Sequence, residues 1–363
     1  MTDNRKTLEW LFEKQKIDIK RGRIFDTSPP PMPGVSDFDR VEGMMLGLAI
    51  GDALGNTSEG LHPRKRRAMH GEIRDYRYNP RANAHVGLPS DDTQLAFWTL
   101  EQMIEDGAFN PEHVARRFCG GRIFGIGATV SEFVRNYSGG KSWYECGTKS
   151  AGNGALMRIA PMVIPHLKSV SSDLWVDTVL SAMITHNDSA SIASCVAFVN
   201  MLWELLGMEA APQPNWWLEA FVNMARHLES DNSYRSRSSA FKSYRGTLCQ
   251  FLQENVSEAY GRDISAVEAC DSWFSGAYLL ETVPSVIYIL MKHGSDPEEA
   301  IVRAANDTVD NDTIGAIVGA AVGALYGRRR LPERWVSKLP GRTAEADDGR
   351  IFEMLSAAKA LWG

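Results

Sequence analysis

Residues 310–327 read DNDTIGAIVGAAVGALYG, an acidic opening followed by an apolar run with glycine at 315, 319, 323 and 327. Glycine costs roughly 1 kcal/mol against alanine inside a helix, so a ladder of glycines on one face calls for a compensating gain. Close approach of another backbone supplies it, because a stripe without side chains forms a flat face. A second ladder lies far upstream, where VEGMMLGLAIGDALG over 41–55 places glycines at 43, 47, 51 and 55. Both are read as core helices of an all-α fold. Small-residue stripes also pair helices in membranes, but Asp52 interrupts one run and both are shorter than a span.

The acidic opening also has a twin. Ser90-Asp91-Asp92-Thr93 precedes QLAFWTLEQMIEDG, just as Asp310-Asn311-Asp312-Thr313 precedes its own apolar run. Crowded carboxylates repel one another, and apolar neighbours deny them hydration. A cation relieves both costs, and hard oxygen donors suit Mg²⁺ or Mn²⁺. Each cluster alone also looks like a helix N-cap. Two of one form point to a two-metal site assembled from both.

The remainder of the chain narrows the class. Its 363 residues can bury a large core, and 44% apolar with 23% charged residues is ordinary for a globular protein. A net charge of −6 argues against a general nucleic-acid binder. The basic run Arg64-Lys65-Arg66-Arg67 reads as a solvated loop. Cys119, Cys146, Cys195, Cys249 and Cys270 form no close pair, which fits reduced thiols in a cytoplasmic protein and excludes a zinc motif. The N-terminus has no secretory apolar region.

Residues 1–40 stand apart from a catalytic domain over 41–363. Leu8, Leu11 and Phe12 share one helical face, and the proline-rich stretch 26–34 reads as a stiff tether. Such an arm either docks on its own domain or serves a partner. Further helices are expected at 92–106, 111–118, 155–166, 172–184, 189–206, 215–230, 264–274, 281–292, 297–305 and 346–361. The stretch 228–246 reads as a surface connection.

Four shorter segments carry possible chemistry: Gly51-Asp52-Ala53-Leu54-Gly55 leading to Glu59, Gly125-Ile126-Gly127, Gly152-Asn153-Gly154, and Thr185-His186-Asn187-Asp188. Each alone is equally a turn, a cap or a core residue. Glycine-rich loops that open onto helices also offer backbone N–H groups to a diphosphate.

In their order and wording these segments, with the two acidic clusters, resemble the ADP-ribosylglycohydrolase family over Val41 to Gly327. The family includes the dinitrogenase-reductase-activating glycohydrolases and the ADP-ribosyl-acceptor hydrolases. The resemblance implies a compact single-domain helical fold with a binuclear Mg²⁺ centre (Mn²⁺ as substitute) in an ADP-ribose cleft. It implies metal ligation by Ser90, Asp91, Asp92, Asp310, Asp312 and Thr313. Gly125, Gly127, Gly152, Asn153, Gly154 and His186 would surround the ADP-ribose. Glu59 is the candidate general acid or base, with Asp91 and Asp312 as the metal-site alternatives. Thr308-Val309 stand where many members have Gly-Gly, and Asn311 where they have Thr, which bears on loop shape and acceptor preference.

The reaction so implied is hydrolysis of an N- or O-linked ADP-ribose on a protein side chain, arginine slightly favoured. The competing expectation is an immunity-type bacterial protein that neutralises an ADP-ribosyltransferase toxin by inserting residues 1–35, with or without hydrolysis. No membrane or nucleic-acid partner is expected.

Overall fold

The two glycine ladders face each other. In the computed structural model, which describes residues 3–31, 38–79 and 82–363, the helices Asp39–Asn56 and Asn311–Tyr326 lie antiparallel. Gly43 meets Gly323, Gly47 meets Gly319, Gly51 meets Gly315, and Gly55 meets the Asn311–Asp312 peptide. A Cβ built on Gly43 would lie 2.5 Å from the Gly323 carbonyl oxygen, and one on Gly315 would lie 2.5 Å from that of Gly51. Backbone cannot retreat as a flexible side chain can, so only glycine fits. This contact fixes the end of the first helix beside the start of the second, and Asp52 beside Asp312.

Helices Pro297–Asp307, Ser189–Gly207 and Leu279–His293 pack around the pair. Ser189–Gly207 has the length and mean hydropathy (1.5) of a membrane span, yet 89% of that window is buried in the fold. It is a core helix. Among the described residues sheet is confined to two antiparallel ribbons, Tyr78–Asn79 with Ala84–His85 and Tyr234–Arg235 with Arg245–Gly246. The fold class is all-α.

Several sequence expectations need correction. The helix expected over 155–166 is two 3₁₀ stretches, Leu156–Arg158 and Ala160–His166. Pro161 and Pro165 remove the N–H groups an α-helix would need there. The helix Leu248–Gly261 was not expected. The basic run is no solvated loop: Pro63–His70 is helical and Arg66 is fully buried. The 228–246 stretch carries one of the ribbons.

The N-terminal arm docks on its own domain. Helix Asn4–Glu13 buries Leu8 and Leu11 against the helix Asp173–Met183, and Phe12 packs on Phe25. Asn4 Nδ2 donates to Asp177 at 2.7 Å, and Arg5 pairs with Asp173 at 2.6 Å. The Trp175 and Trp203 indoles donate to the Thr27 and Pro30 carbonyls. Met32–Gly34 of the tether lie outside the described residues. The apolar face that partner insertion would need is therefore occupied. Asn187, next to His186, donates to the Lys16 carbonyl and accepts from Asp18 N–H, so the arm also braces the wall of the cleft described next.

Candidate active site and metal centre

Ser90 begins the helix Asp91–Asp106, and its hydroxyl caps Asp92 N–H at 3.2 Å while donating to Asp92 Oδ2 at 2.8 Å. The Ser90 backbone N–H and the Thr93 N–H and hydroxyl all donate to Asp52. Asp52 thus holds the first acidic cluster against the first glycine helix. The second cluster is held differently. Asp310 makes no side-chain cap; its carboxylate accepts from Asn153 Nδ2 at 2.6 Å, and Asn153 also donates to Thr282. The backbone entering this cluster is tied to Ser275, whose carbonyl accepts from Asp310 N–H and whose hydroxyl accepts from Val309 N–H. Phe274 (φ 79°) and Ser275 (φ 45°) sit in the left-handed region, a strain that bulky residues rarely carry away from functional sites. Arg66 completes the support with bonds from its guanidinium to Ser58 and to the carbonyls of Asn306 and Thr308.

The clusters converge. Carboxylate oxygens of Asp52, Asp92 and Asp312 lie within 4.8 Å of one another, as do those of Glu59, Asp310 and Asp312. Asp312 belongs to both groups. Burial first, and then the neighbouring carboxylates, push Asp91 up to about 8 and hold Asp92 and Asp312 well above the usual range. Burial also lifts Asp310 to about 7 and Asp52 to about 6, against the hydrogen bonds each accepts. Asp92 Oδ1 is buried with no hydrogen-bond partner. A buried carboxylate with an orphaned oxygen, grouped with two further acids, is what a divalent cation satisfies, so the donor set fits a metal.

A cleft of about 410 Å³ opens over this cluster. Every site residue expected from sequence lines it except Ser90, which lies beneath it as a cap. Gly125 is glycine because its φ of +57° demands it, whereas a Cβ on Gly127 would meet nothing, leaving open space. Gly152 and Gly154 pack against the His186 ring. Burial and the nearby Arg158 push His186 down to about 3, so it is neutral. Arg158 donates to Thr185 Oγ1 at 2.9 Å and has no acceptor of its own. Thr185 Oγ1 also shares a hydrogen bond with His186 Nδ1, 2.9 Å away, and the ring's Nε2 lies beside Gly152 and Gly154.

Sequence reasoning assigned no role to three residues here. Asp52 lies in one of the four segments noted for possible chemistry, as the single acid of the apolar run 43–55. Arg66 was hidden in a basic run. Arg237, which lines the cleft, gave no signal within a polar stretch. In the other direction, Asp91 lines the cleft without belonging to either close carboxylate group.

The sequence profile of the ADP-ribosylglycohydrolase family matches residues 33–361. The chain belongs to the ADP-ribosylglycohydrolase family. An ADP-ribosylarginine hydrolase (Tri1) of Serratia proteamaculans is 28% identical, over 86% of this chain and 79% of its own. The ADP-ribosyl-[dinitrogen reductase] glycohydrolase of Rhodospirillum rubrum is 26% identical, over 90% of this chain and 99% of its own. A solved structure titled ADP-ribosylglycohydrolase-related protein complex shares the fold with a TM-score of 0.60 at 24% identity, covering 89% of this chain and 97% of its own. This ADP-ribosylglycohydrolase is accordingly an enzyme, a glycosidic-bond hydrolase, and its acidic cleft is the place to seek the chemistry.

Proposed function

We propose that this enzyme hydrolyses the N-glycosidic bond between ADP-ribose and a protein arginine, using two Mg²⁺ ions or Mn²⁺ in their place. The observation that carries the reading is the pair of carboxylate groups sharing Asp312. Asp52, Asp92 and Asp312 would hold one cation, and Glu59, Asp310 and Asp312 the other. Cations held there supply Lewis acidity toward ribose hydroxyls and a water.

The protein's own part is orientation and proton transfer. Asn153 and the Gly152–Gly154 loop fix one wall of the ADP-ribose site, Gly125 and Gly127 leave room on another, and neutral His186 presents its Nε2 edge beside the glycine loop. As water adds to the anomeric carbon, Glu59 takes its proton, and the departing guanidine leaves with the bond's electron pair. Glu59 is exposed at the cleft and its carboxyl is raised by the protein around it, which suits a proton carrier. Asp91 is the alternative carrier, and Asp312 serves both cation sites. The Thr308-Val309 entry to the second cluster leaves acceptor choice to the rim. An immunity role by arm insertion would require Leu8 and Leu11 to leave their packed positions, and hydrolysis carries no such cost. Five cysteines without a disulfide suit a cytosolic setting.

The test is a panel of peptides ADP-ribosylated on arginine or on serine, each assayed with Mg²⁺ and with chelator. ADP-ribose release from the arginine peptide, lost on chelation, is expected. Release from serine alone would overturn the acceptor, and undiminished release under chelation would overturn the metal role.

A further inference from the structure

The cleft presents a charge problem. Glu59, Asp91, Asp92, Asp310 and Asp312 line it, yet an ADP-ribosyl group brings a diphosphate. Among the described lining residues Arg237 is the one permanent cation, since His186 is neutral.

Arg237 is built into position. Its Nε and Nη2 donate to the two carboxylate oxygens of Glu281 at 2.8 and 2.7 Å, and its guanidinium lies 4.8 Å over the Tyr278 ring. Glu281 is fully buried, so no ligand reaches it, and both its carboxylate oxygens accept from Arg237. Gly276 leaves the space Glu281 needs, because a Cβ there would stand 2.6 Å from Oε2. The chain around Arg237 is pinned by the Tyr234–Arg235 ribbon on one side. On the other, Ser238 donates to the Ser272 carbonyl. The Tyr278 segment is itself joined to the glycine loop: Leu279 N–H donates to the Ala151 carbonyl at 2.9 Å, and Asn153 N–H to that of Ala277 at 3.2 Å. Arg237 and the Gly152–Gly154 loop therefore share one rigid wall.

A guanidinium has five N–H donors, and Glu281 uses two. The rest belong to a side chain that is 57% exposed and lines the cleft. We propose that Arg237 is a phosphate-binding residue of this cleft, its free donors taking a phosphate oxygen of the ADP-ribosyl group while Glu281 and Tyr278 hold the fork in place. The inference rests on the reading of the cleft as an ADP-ribose site. It assigns a role to the polar stretch that sequence reading left as a connector.

The test is calorimetric binding of ADP-ribose to the full chain with Mg²⁺, across a range of salt concentrations. Arg237→Gln should weaken binding by about 10- to 100-fold and flatten its salt dependence, and Arg237→Lys should recover only part of the loss. Arg237→Gln also leaves Glu281 buried and unpaired, so the double variant Arg237→Gln/Glu281→Gln removes that complication. Restored melting temperature with affinity still depressed supports the proposal. Affinity restored along with stability would overturn it, showing that Arg237 only neutralises Glu281. Tight wild-type binding that ignores all three variants would overturn Arg237 alone. A wild-type chain that binds no ADP-ribose would overturn the cleft reading beneath it.

Discussion

The two acidic clusters look alike in sequence and are held by different physics. At 90–93 the helix start is capped: Ser90 serves Asp92 N–H, and Asp52 receives Ser90 and Thr93. At 310–313 the N-cap residue Asp310 makes no side-chain cap and turns instead to Asn153, while Asp312 accepts from Thr313 N–H. The bland cap reading is therefore half true for the first cluster and absent from the second. An acidic helix start that forgoes its cap is better evidence of a ligand site than one that keeps it, because the local reason for the residue has been removed.

The sharpest break in this comparison comes at the residue both carboxylate groups share. Asp312→Asn should lower ADP-ribose release by at least about 10²–10³-fold with little change in helical signal by circular dichroism. Near-normal turnover would separate the clusters.

Next in size is the contact that brings the clusters together. Gly51→Ala or Gly315→Ala should destabilise by about 1–3 kcal/mol or more, read from denaturant midpoints, because each new Cβ meets facing backbone. Gly127→Ala, in open space, should melt normally while weakening ADP-ribose binding. Equal stability losses at all three would show that the ladder is not special.

A third effect is pH-dependent. In metal-free protein Asp52, Asp310 and Asp91 are raised to about 6, 7 and 8, above unfolded carboxylates near ~4. The folded chain then binds more protons than the unfolded one. Its stabilisation is complete below the unfolded value and is lost as pH rises through those folded values. The melting temperature of chelated enzyme should fall between about pH 5 and pH 9, and Mg²⁺ should remove most of that slope. A chelated enzyme that gained stability with pH would contradict the crowded-carboxylate picture.

The smallest effect separates the two starts directly. Ser90→Ala should cost about 1 kcal/mol as a lost cap, whereas Asp310→Ala should leave the metal-free melting temperature unchanged or higher. If both variants lost the same stability, the two starts would be equivalent caps.

What was legible in the sequence follows from how local each signal is. The ladders and the clusters are periodic or contiguous, so they could be read and paired. Asp52 is visible as the single acid of the apolar run 43–55, but its partners at 90 and 93 are set by packing that no spacing announces. Arg66 and Arg237 were illegible because a buried and a solvated arginine look the same in a polar run. The helix expected over 155–166 failed on Pro161 and Pro165, a local signal that apolar periodicity outweighed. For the arm, the apolar face of Leu8 and Leu11 was plain, and only the structure supplies the Asp173–Met183 surface that covers it.

The central claim is that two distant clusters form one centre through Asp312. Manganese binding followed by electron paramagnetic resonance tests it most directly, on wild type, Asp52→Asn and Asp312→Asn. The account predicts two Mn²⁺ per wild-type chain, loss of one site in Asp52→Asn, and weakening of both in Asp312→Asn. A single site in wild type, or an Asp312→Asn chain that still binds two ions with unchanged affinity, would contradict it.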